Sequence, residues 1–271
     1  MMSDFSDLLG SIRFEKTSAF VRIPDAWSQG RSSFGGLQAA VALCAARACV
    51  PSALPLRTMQ ATFIGPLANA VEAKARVLRS GKNVIHVQVE LCQLGGQSPA
   101  GGATLAALLI FVFGAARNSQ VVRKRQMPVW DAQLPSQKLP QIAGLTPNFC
   151  REFDADWLHG GLPFSGSSEP DCVVNVAMRD REPASEAHVI AFADYLPPIA
   201  FSHLRAPAVG SSLTWMLEMF GNNYAEQSVV GWRVDAELLA ASNGYTSQSC
   251  KVWDPTGNLA AIGQQGMVVF A

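Results

Sequence analysis

The last apolar run of the chain contains two adjacent glutamines, Gln264 and Gln265, after Leu259-Ala-Ala-Ile-Gly. A glutamine amide both donates and accepts hydrogen bonds, so it can hold a water molecule in one orientation. The corresponding run of the first half, 108–111, is entirely apolar, which indicates that the second half carries the site. We assign the water-holding role to Gln264. Since strand side chains alternate between faces, Gln265 would point the other way, and a solvent-exposed Gln264 is the structural alternative.

Activating a water molecule requires a proton acceptor, and three groups of the second half are candidates. Asp194 lies in Ala-Phe-Ala-Asp-Tyr-Leu, near the start of a predicted helix, where it would otherwise cap that helix. Glu237 shares one face of a predicted strand with Asp235, and exposure of that face to solvent is its structural alternative. Ser212 offers a hydroxyl at a strand end and ranks below both. We favour Asp194 narrowly over Glu237.

Two further features could hold an anionic group. Gly35 and Gly36 begin a predicted helix, and the backbone N–H groups and dipole at such an end favour negative charge; a tight helix entry explains the pair equally well. Arg79 and Lys82 flank a predicted turn and could bind phosphate groups. The basic segment Arg123-Lys-Arg125 is a second candidate, although such a segment is more often only solvated.

The elements that must position these residues follow one order twice. A helix over Leu37–Arg47 and a helix around Ala191–Arg205 are each followed by four strands rich in β-branched residues. The predicted strands are Arg57–Ile64, Val71–Arg79, Val84–Leu91 and Thr104–Phe113, then Ser212–Phe220, Val229–Leu238, Thr246–Asp254 and Leu259–Phe270. Gly95–Gly102 is a predicted loop. The order predicts an internal repeat and an α+β fold.

Composition narrows the class of protein. Hydrophobic residues make up 49% of the 271 residues and charged residues 15%, which favours an apolar ligand or buried contacts between subunits. Lys+Arg and Asp+Glu number 21 each, so no overall field favours nucleic acid. The longest apolar run is too short to span a membrane, the first ten residues do not resemble a signal peptide, and the six scattered cysteines indicate reduced thiols. We expect a cytoplasmic protein without a metal.

Several catalytic motifs are absent from the sequence. It has no G-x-G-x-x-G, P-loop, G-x-S-x-G or H-E-x-x-H motif. Its four histidines, His86, His159, His188 and His203, have no serine or cysteine at a recognised spacing, and we interpret them as surface or core residues. A serine or cysteine triad is therefore not predicted.

Four stretches resemble the acyl-CoA thioesterase II family, the TesB-like double hot-dog proteins. In chain order they are Trp27-Ser-Gln-Gly-Arg-Ser-Ser-Phe-Gly-Gly36, Thr58-Met-Gln-Ala-Thr-Phe-Ile-Gly-Pro66, Leu78-Arg-Ser-Gly-Lys-Asn-Val84 and Asn258-Leu-Ala-Ala-Ile-Gly-Gln-Gln-Gly266. The last is similar to the family's V-A-x-x-x-Q-E-G strand. The resemblance covers nearly the whole chain and is weakest between about 117 and 189. It implies two fused hot-dog domains, which we place at 1–116 and 151–271, with a linker at 117–150.

The resemblance also implies thioester hydrolysis by a water held by Asp, Thr or Ser, and Gln in the second domain, without a cofactor. Carried over by position, the glutamine is Gln264, the aspartate position falls on Ser212 and the hydroxyl position falls near Glu237. The family's strand histidine in the first domain is Gln60 here. Gly35 and Gly36 would face the thioester, and Arg79 and Lys82 the phosphates of CoA.

The leading hypothesis is therefore an acyl-CoA thioesterase with an apolar acyl tunnel between helix and sheet. A non-catalytic acyl-CoA or lipid-binding protein is the first alternative, because Ser212 replaces the family aspartate. Another hot-dog enzyme, such as an enoyl-CoA hydratase, is the second. The predicted partners are acyl-CoA and further copies of the chain, as a homodimer or higher oligomer.

Overall fold

The fold is dominated by one twelve-stranded antiparallel sheet, seen in a computed structural model that describes residues 4–95, 102–129, 135–221 and 224–271. The predicted loop at 95–102 lies almost wholly outside these residues. Two helices pack against each other and against one face of the sheet, which we call the inner face. The predicted α+β class is confirmed.

The first half contains two helices and eight strands. They are α1 Phe5–Gly10, β1 Arg13–Glu15, β2 Ser18–Ile23, β3 Ser28–Gln29, β4 Ser32–Ser33, α2 Gly35–Arg47, β5 Leu56–Phe63, β6 Asn69–Ser80, β7 Val84–Gln93 and β8 Thr104–Gly114. The strands β3 and β4 form a separate small sheet.

The second half contains two helices and six strands. They are β9 Phe153–His159, β10 Asp171–Met178, α3 Glu186–Ala193, α4 Ala200–His203, β11 Val209–Met219, β12 Trp232–Ser242, β13 Tyr245–Trp253 and β14 Leu259–Phe270. The four strands predicted after each helix are present, while β1 to β4, β9 and β10 were not predicted.

Both halves arrange their strands in the same way. The order across the sheet is β1-β2-β6-β7-β8-β5 followed by β11-β14-β13-β12-β10-β9. In each half the strand before the central helix therefore lies at the far side, and the first strand after the helix lies at the middle of the sheet. There β5 pairs with β11, from Thr58 opposite Glu218 to Thr62 opposite Thr214. Since the hydrogen-bonded ladder continues across this junction, the two halves share one sheet.

The helix α2 is buried on nearly all sides, which its sequence explains. Alanine and leucine dominate it, and Gly36 through Leu43 are all buried; a helix that is apolar all round belongs in a core. Its small residues permit close packing on α3. A Cβ on Gly36 would lie 3.0 Å from the Cα of Ala191, closer than ordinary van der Waals contact allows.

The predicted position of the second helix, 191–205, is wrong. α3 begins at Glu186, after a capping box in which Ser185 and His188 bond each other's backbone N–H groups. It ends at Ala193, shortly before Pro197 and Pro198, which have no N–H to continue a helix. Asp194 is consequently the C-cap of α3 rather than a residue near a helix start.

The segment 115–147 has no helix or strand among its described residues. It pairs with the second half through two isolated bridges, Gln126 with Asn258 and Gln137 with Trp157. Predicted as a linker, it lies along the second half; the domain boundaries at 116 and 150 stay a prediction. Within the described residues, no helix has the length and apolar character needed to cross a membrane.

Glu186, at the start of α3, joins this helix to the end of α2. Its carboxylate accepts hydrogen bonds from Arg47 Nε at 3.0 Å and Nη2 at 2.6 Å, and from the backbone N–H of Leu56 at 2.7 Å. The Arg47 guanidinium also lies 4.4 Å from the centroid of the Phe113 ring. One carboxylate thus connects α3 to α2 and to the start of β5.

We predict that Glu186→Ala lowers the free energy of unfolding by about 1–3 kcal/mol, because Arg47 and the Leu56 N–H lose their acceptor. Denaturant unfolding measures the change, with the exposed Glu182→Ala as control at under about 0.5 kcal/mol. A double-mutant cycle with Arg47→Ala should show coupling between the two sites. Additive effects in that cycle would contradict the assigned connection.

Candidate active site

Asp194 lies where α3 ends and α2 begins. Its Oδ1 accepts a hydrogen bond from Gln265 Nε2 at 2.5 Å, and the carboxylate also accepts one from the backbone N–H of Gly36. Its Oδ2 approaches Gly35 so closely that a Cβ there would lie 2.7 Å away. The two glycines at the start of α2 therefore admit a carboxylate from α3.

The surroundings of Asp194 raise the pKa of its carboxyl to about 7. Burial is the main cause, because a low-dielectric environment disfavours the charged form; the hydrogen bonds from Gln265 and Gly36 oppose the shift. The residue nevertheless keeps part of its surface exposed, as do Gly35 and Phe63 beside it. A carboxyl that titrates near neutral pH, in a residue that keeps part of its surface exposed, is suited to accept and return a proton.

A chain of amides fixes Gln265. The backbone N–H of Ile199 donates to Gln248 Oε1 at 2.9 Å, so Gln248 directs its Nε2 towards Gln265 Oε1, at 3.3 Å. Gln265 must then present its Nε2 to Asp194. Because a backbone N–H can only donate, it determines the orientation of both amides. Both glutamines are buried, and the chain ends on the carboxylate.

The register of the sheet brings this chain together. Gln265 on β14 lies between Trp215 on β11 and Gln248 on β13, and all three side chains are buried on the inner face. Two further polar atoms of this face, Trp215 Nε1 and Thr246 Oγ1, are buried without a hydrogen-bond partner among the described residues. Buried polar groups ordinarily have partners, so both atoms have hydrogen-bonding capacity for water or for a ligand.

The predicted orientation of Gln264 is wrong. It lies on the outer face of β14, is exposed, and donates to Ser247 Oγ at 3.3 Å, whereas Gln265 faces α3. Two glutamines in succession satisfy either register, so the order of residues alone cannot show which of them faces inward. The two glutamines do lie on opposite faces of the strand, as alternation predicts, but Gln265 rather than Gln264 faces inward.

Other candidates from the sequence lie away from Asp194. Glu237 is exposed on the outer face of β12, opposite Asp171 and Ser249, and Gln60 is exposed on the outer face of β5. Neither meets Asp194, so their predicted site roles are not supported. Ser212 differs from them. It pairs with Met267, two residues from Gln265 on the same face, next to an irregularity in β11.

The predicted phosphate-binding residues lie at the other end of the first half. Arg79 and Lys82 belong to the β6–β7 hairpin, whose tip adjoins Gly114, while Phe63 beside the site pairs with Ala107. Six or seven residues of strand separate these ends, roughly 20 Å. The exposed segment Arg123–Arg125 adjoins the bridge from Gln126 to Asn258. A phosphate-binding role for either group stays a prediction.

A Ser-His-Asp arrangement that the sequence did not reveal lies at the opposite end of α3. Ser185 Oγ is 2.8 Å from His188 Nδ1, and His188 Nε2 is 3.1 Å from Asp180 Oδ2. His188 is buried, its Nδ1 accepts the Ser185 N–H, and Asp180 also accepts the N–H of Ser6. Each group thus holds backbone of α1 or α3. We interpret the arrangement as a structural clasp rather than a nucleophile.

These features define a hot-dog type of protein with a titratable carboxylate at the junction of its two central helices. The chain belongs to the acyl-CoA thioesterase family: residues 23–114 match the model of the acyl-CoA thioesterase N-terminal domain and residues 129–269 that of the C-terminal domain. The predicted TesB-like family is thereby confirmed. A search of curated protein sequences finds no match.

Solved structures share the fold across the full length. A hot-dog protein of unknown function from Alicyclobacillus acidocaldarius is similar with a TM-score of 0.83 and 19% identity, covering 98% of both chains. The tesB protein of Mycobacterium avium subspecies paratuberculosis has a TM-score of 0.72 and 14% identity, covering 99% of this chain and 100% of its own. For acyl-CoA thioesterase II TesB2 from Mycobacterium marinum the values are 0.70 and 16%, covering 98% of both chains.

The raised pKa of Asp194 predicts a pH-dependent cost to stability. The unfolded carboxyl ionises near pH 4 and the folded one near pH 7, so the wild-type protein loses stability as pH rises between these values. Asp194→Asn removes this titration. The variant should therefore gain roughly 1–4 kcal/mol of unfolding free energy, relative to wild type, between pH 4.5 and pH 8. Denaturant unfolding at both pH values measures it.

Glu237→Gln is the control for this measurement, because it makes the same acid-to-amide change at an exposed position. Its stability relative to wild type should vary little over the same range. A pH dependence of equal size in both variants would show that the titration does not belong to Asp194.

Proposed function

We propose that the protein hydrolyses acyl-CoA thioesters, with Asp194 as the general base that activates water. The observation that carries this proposal is the carboxyl of Asp194, which has a pKa of about 7, lies in a residue that keeps part of its surface exposed, and accepts a hydrogen bond from a buried amide. Membership of the thioesterase family supports the substrate class. We also take the two halves as two hot-dog domains, since each wraps one helix with the same order of strands.

The reaction needs no group beyond substrate, water and side chains. Water oxygen attacks the thioester carbonyl carbon while Asp194 takes one of its protons, and the carbonyl π electrons move to oxygen. The tetrahedral intermediate then collapses and the C–S bond breaks. The proton held by Asp194 returns to the CoA sulfur, so the products are a carboxylic acid and the CoA thiol.

Gln265 is a positioning residue in this scheme, because it touches the carboxylate rather than the reacting atoms. Its hydrogen bond favours the charged form of Asp194 and holds the carboxylate against the start of α2. Trp215 Nε1 and Thr246 Oγ1 on the same face, which have no partner in the described part of the chain, could donate to substrate or water. The substrate would approach beside Gly35 and Phe63, which are partly exposed next to Asp194.

A non-catalytic acyl-CoA-binding protein is the second candidate function, because the resemblance places Ser212 at the position of the family aspartate. A thiol-release assay with acyl-CoAs of several chain lengths distinguishes the two. Release of CoA supports hydrolysis, whereas binding of acyl-CoA without release would support the alternative. Hydration of an enoyl-CoA would indicate the third hypothesis, a hydratase.

We predict that Asp194→Asn lowers kcat by roughly 10²–10⁴, because the amide cannot accept a proton from water. In the wild-type protein kcat/KM should rise with pH through about 7, as Asp194 ionises, and then level off. Thiol release from pH 5 to 9 measures both effects. Full turnover by a folded Asp194→Asn protein would remove this residue from the mechanism.

Gln265 and Gln264 provide a matched pair on one strand. Gln265→Ala should lower kcat by roughly 10-fold or more, since the carboxylate loses a donor that orients it and favours its charge. Gln264→Ala removes the same side chain from the outer face and should cost under about twofold.

A pH profile separates this positioning role from a merely structural one. Gln265→Glu places a second carboxyl against Asp194, which should move the acid limb of the pH profile to higher pH. Equal losses in the two alanine variants, with an unmoved profile in Gln265→Glu, would contradict the assignment.

A further inference from the structure

A surface depression of about 430 Å³ lies between the segment 115–147 and β9; we call it the linker pocket. Its apolar lining includes Leu139, Phe153 and Tyr195, and its basic lining includes Lys138, Arg151 and Arg179. The volume falls within the range of pockets that hold small organic ligands. Neither the base nor Gln265 lines it, so it is a separate feature from the site around Asp194.

The basic residues that line the linker pocket differ in how far carboxylates neutralise their charge. Lys138 Nζ lies 2.5 Å from Asp154 and 3.4 Å from Asp156, so its charge is neutralised within the protein. Arg151 and Arg179 are exposed, and their guanidinium groups form no hydrogen bond or ion pair with the described residues. Burial raises the pKa of Glu152, and the nearby charge of Arg179 opposes that rise. The hydrogen bond from Lys138 lowers the pKa of Asp154, and Arg179 contributes to the same shift. Two guanidinium groups are therefore available to an anionic ligand.

Two stretches of chain connect the wall of the linker pocket to the proposed active site. Tyr195 directly follows Asp194, and its ring packs against Phe153 with centroids 4.8 Å apart. Phe153 also packs against Phe34, at 5.8 Å, and Phe34 directly precedes Gly35. Residues adjacent to the base and to the start of α2 thus form one aromatic cluster with the wall of the pocket. Since Phe34, Phe153 and Tyr195 are buried, a ligand that reaches both places would lie over this cluster rather than pass through it.

We propose that the linker pocket binds the phosphate-bearing nucleotide end of CoA, while the thioester end of the same molecule reaches Asp194. This inference rests on the proposed function. Guanidinium groups bind phosphate oxygens in pairs of hydrogen bonds, and aromatic walls suit an adenine ring. The same phosphate chemistry could come from a free anion or from a phosphopantetheine group, so the test must separate these sources.

Truncated substrates test the inference on the intact chain. Acyl-CoA is compared with the S-acyl-N-acetylcysteamine of the same acyl chain, which lacks phosphates and nucleotide. In Arg151→Ala/Arg179→Ala, KM for acyl-CoA should rise roughly 10–100-fold with kcat little changed. Kinetics with the truncated thioester should stay within about twofold. An equal effect on both substrates, or no effect on either, would overturn the proposal.

Direct binding keeps the inference separate from the proposed function. By calorimetry, the Kd of CoA should rise at least tenfold in the double variant, whether or not the protein hydrolyses thioesters. Adenosine 3′,5′-bisphosphate should compete with CoA, while inorganic phosphate and 4′-phosphopantetheine should compete at least tenfold less well. Unchanged CoA binding in the double variant would overturn the assignment of the pocket. Competition by inorganic phosphate as strong as by the bisphosphate would show that the pocket does not bind the nucleotide as such.

Two controls complete the design. Arg123→Ala/Arg125→Ala removes the same number of charges from the basic segment that is the second phosphate-binding candidate in the sequence; if the linker pocket binds the nucleotide instead, CoA affinity should stay within about twofold. Arg151→Lys/Arg179→Lys keeps the charge but not the paired hydrogen bonds, so it should restore part of the affinity. A loss in the first control as large as in Arg151→Ala/Arg179→Ala would assign the effect to overall charge and overturn the proposal.

Discussion

The close antiparallel packing of α2 on α3 is the contact on which the rest of the molecule depends. Gly36 approaches Ala191 closely, and an additional Cβ at that glycine would collide with Phe34 as well. At one end of the pair Glu186 holds Arg47, and at the other Asp194 meets Gly35. Because both helices are buried by the shared sheet, the carboxylate of one can reach the backbone N–H of the other only with glycine at the helix start.

The helix contact that positions Asp194 also makes ionisation of this residue cost stability, although the proposed chemistry needs the ionised form. A carboxyl placed in this junction is held in its neutral form up to about pH 7, and ionising it costs folding free energy that a neutral amide would not. The donors from Gln265 and Gly36 offset only part of that cost. At the other end of the helix pair the charge of Glu186 is balanced by the Arg47 guanidinium. No cation pairs with Asp194 among the described residues, which leaves its carboxyl with a proton affinity useful near neutral pH.

The sequence specified more of the fold than of the site. Alternating and β-branched runs located eight strands within a few residues, because the sheet buries one face along each of them. The bounds of α3 were misplaced because its start depends on a histidine in a capping box, where glutamate or glutamine is the usual signal. The exchange of Gln264 and Gln265 has a similar cause: only pairing with Trp215 and Gln248 fixes which glutamine faces inward. The Ser185–His188–Asp180 clasp required tertiary contacts and has no signature in the spacing.

Ser212 gives the departure from the family motif a physical meaning. It pairs with Met267 on the face that also carries Gln265, so the position where the resemblance expects a carboxylate lies on the same side of the sheet as Asp194. The motif's glutamate position is Gln265 here, and that amide donates to Asp194 instead of repelling it. A second carboxylate on this face would raise the pKa of Asp194 further and keep it neutral at pH 7. With Ser212 and Gln265 uncharged, a single carboxylate at the end of α3 can titrate near neutral pH, as the proposed role of general base requires.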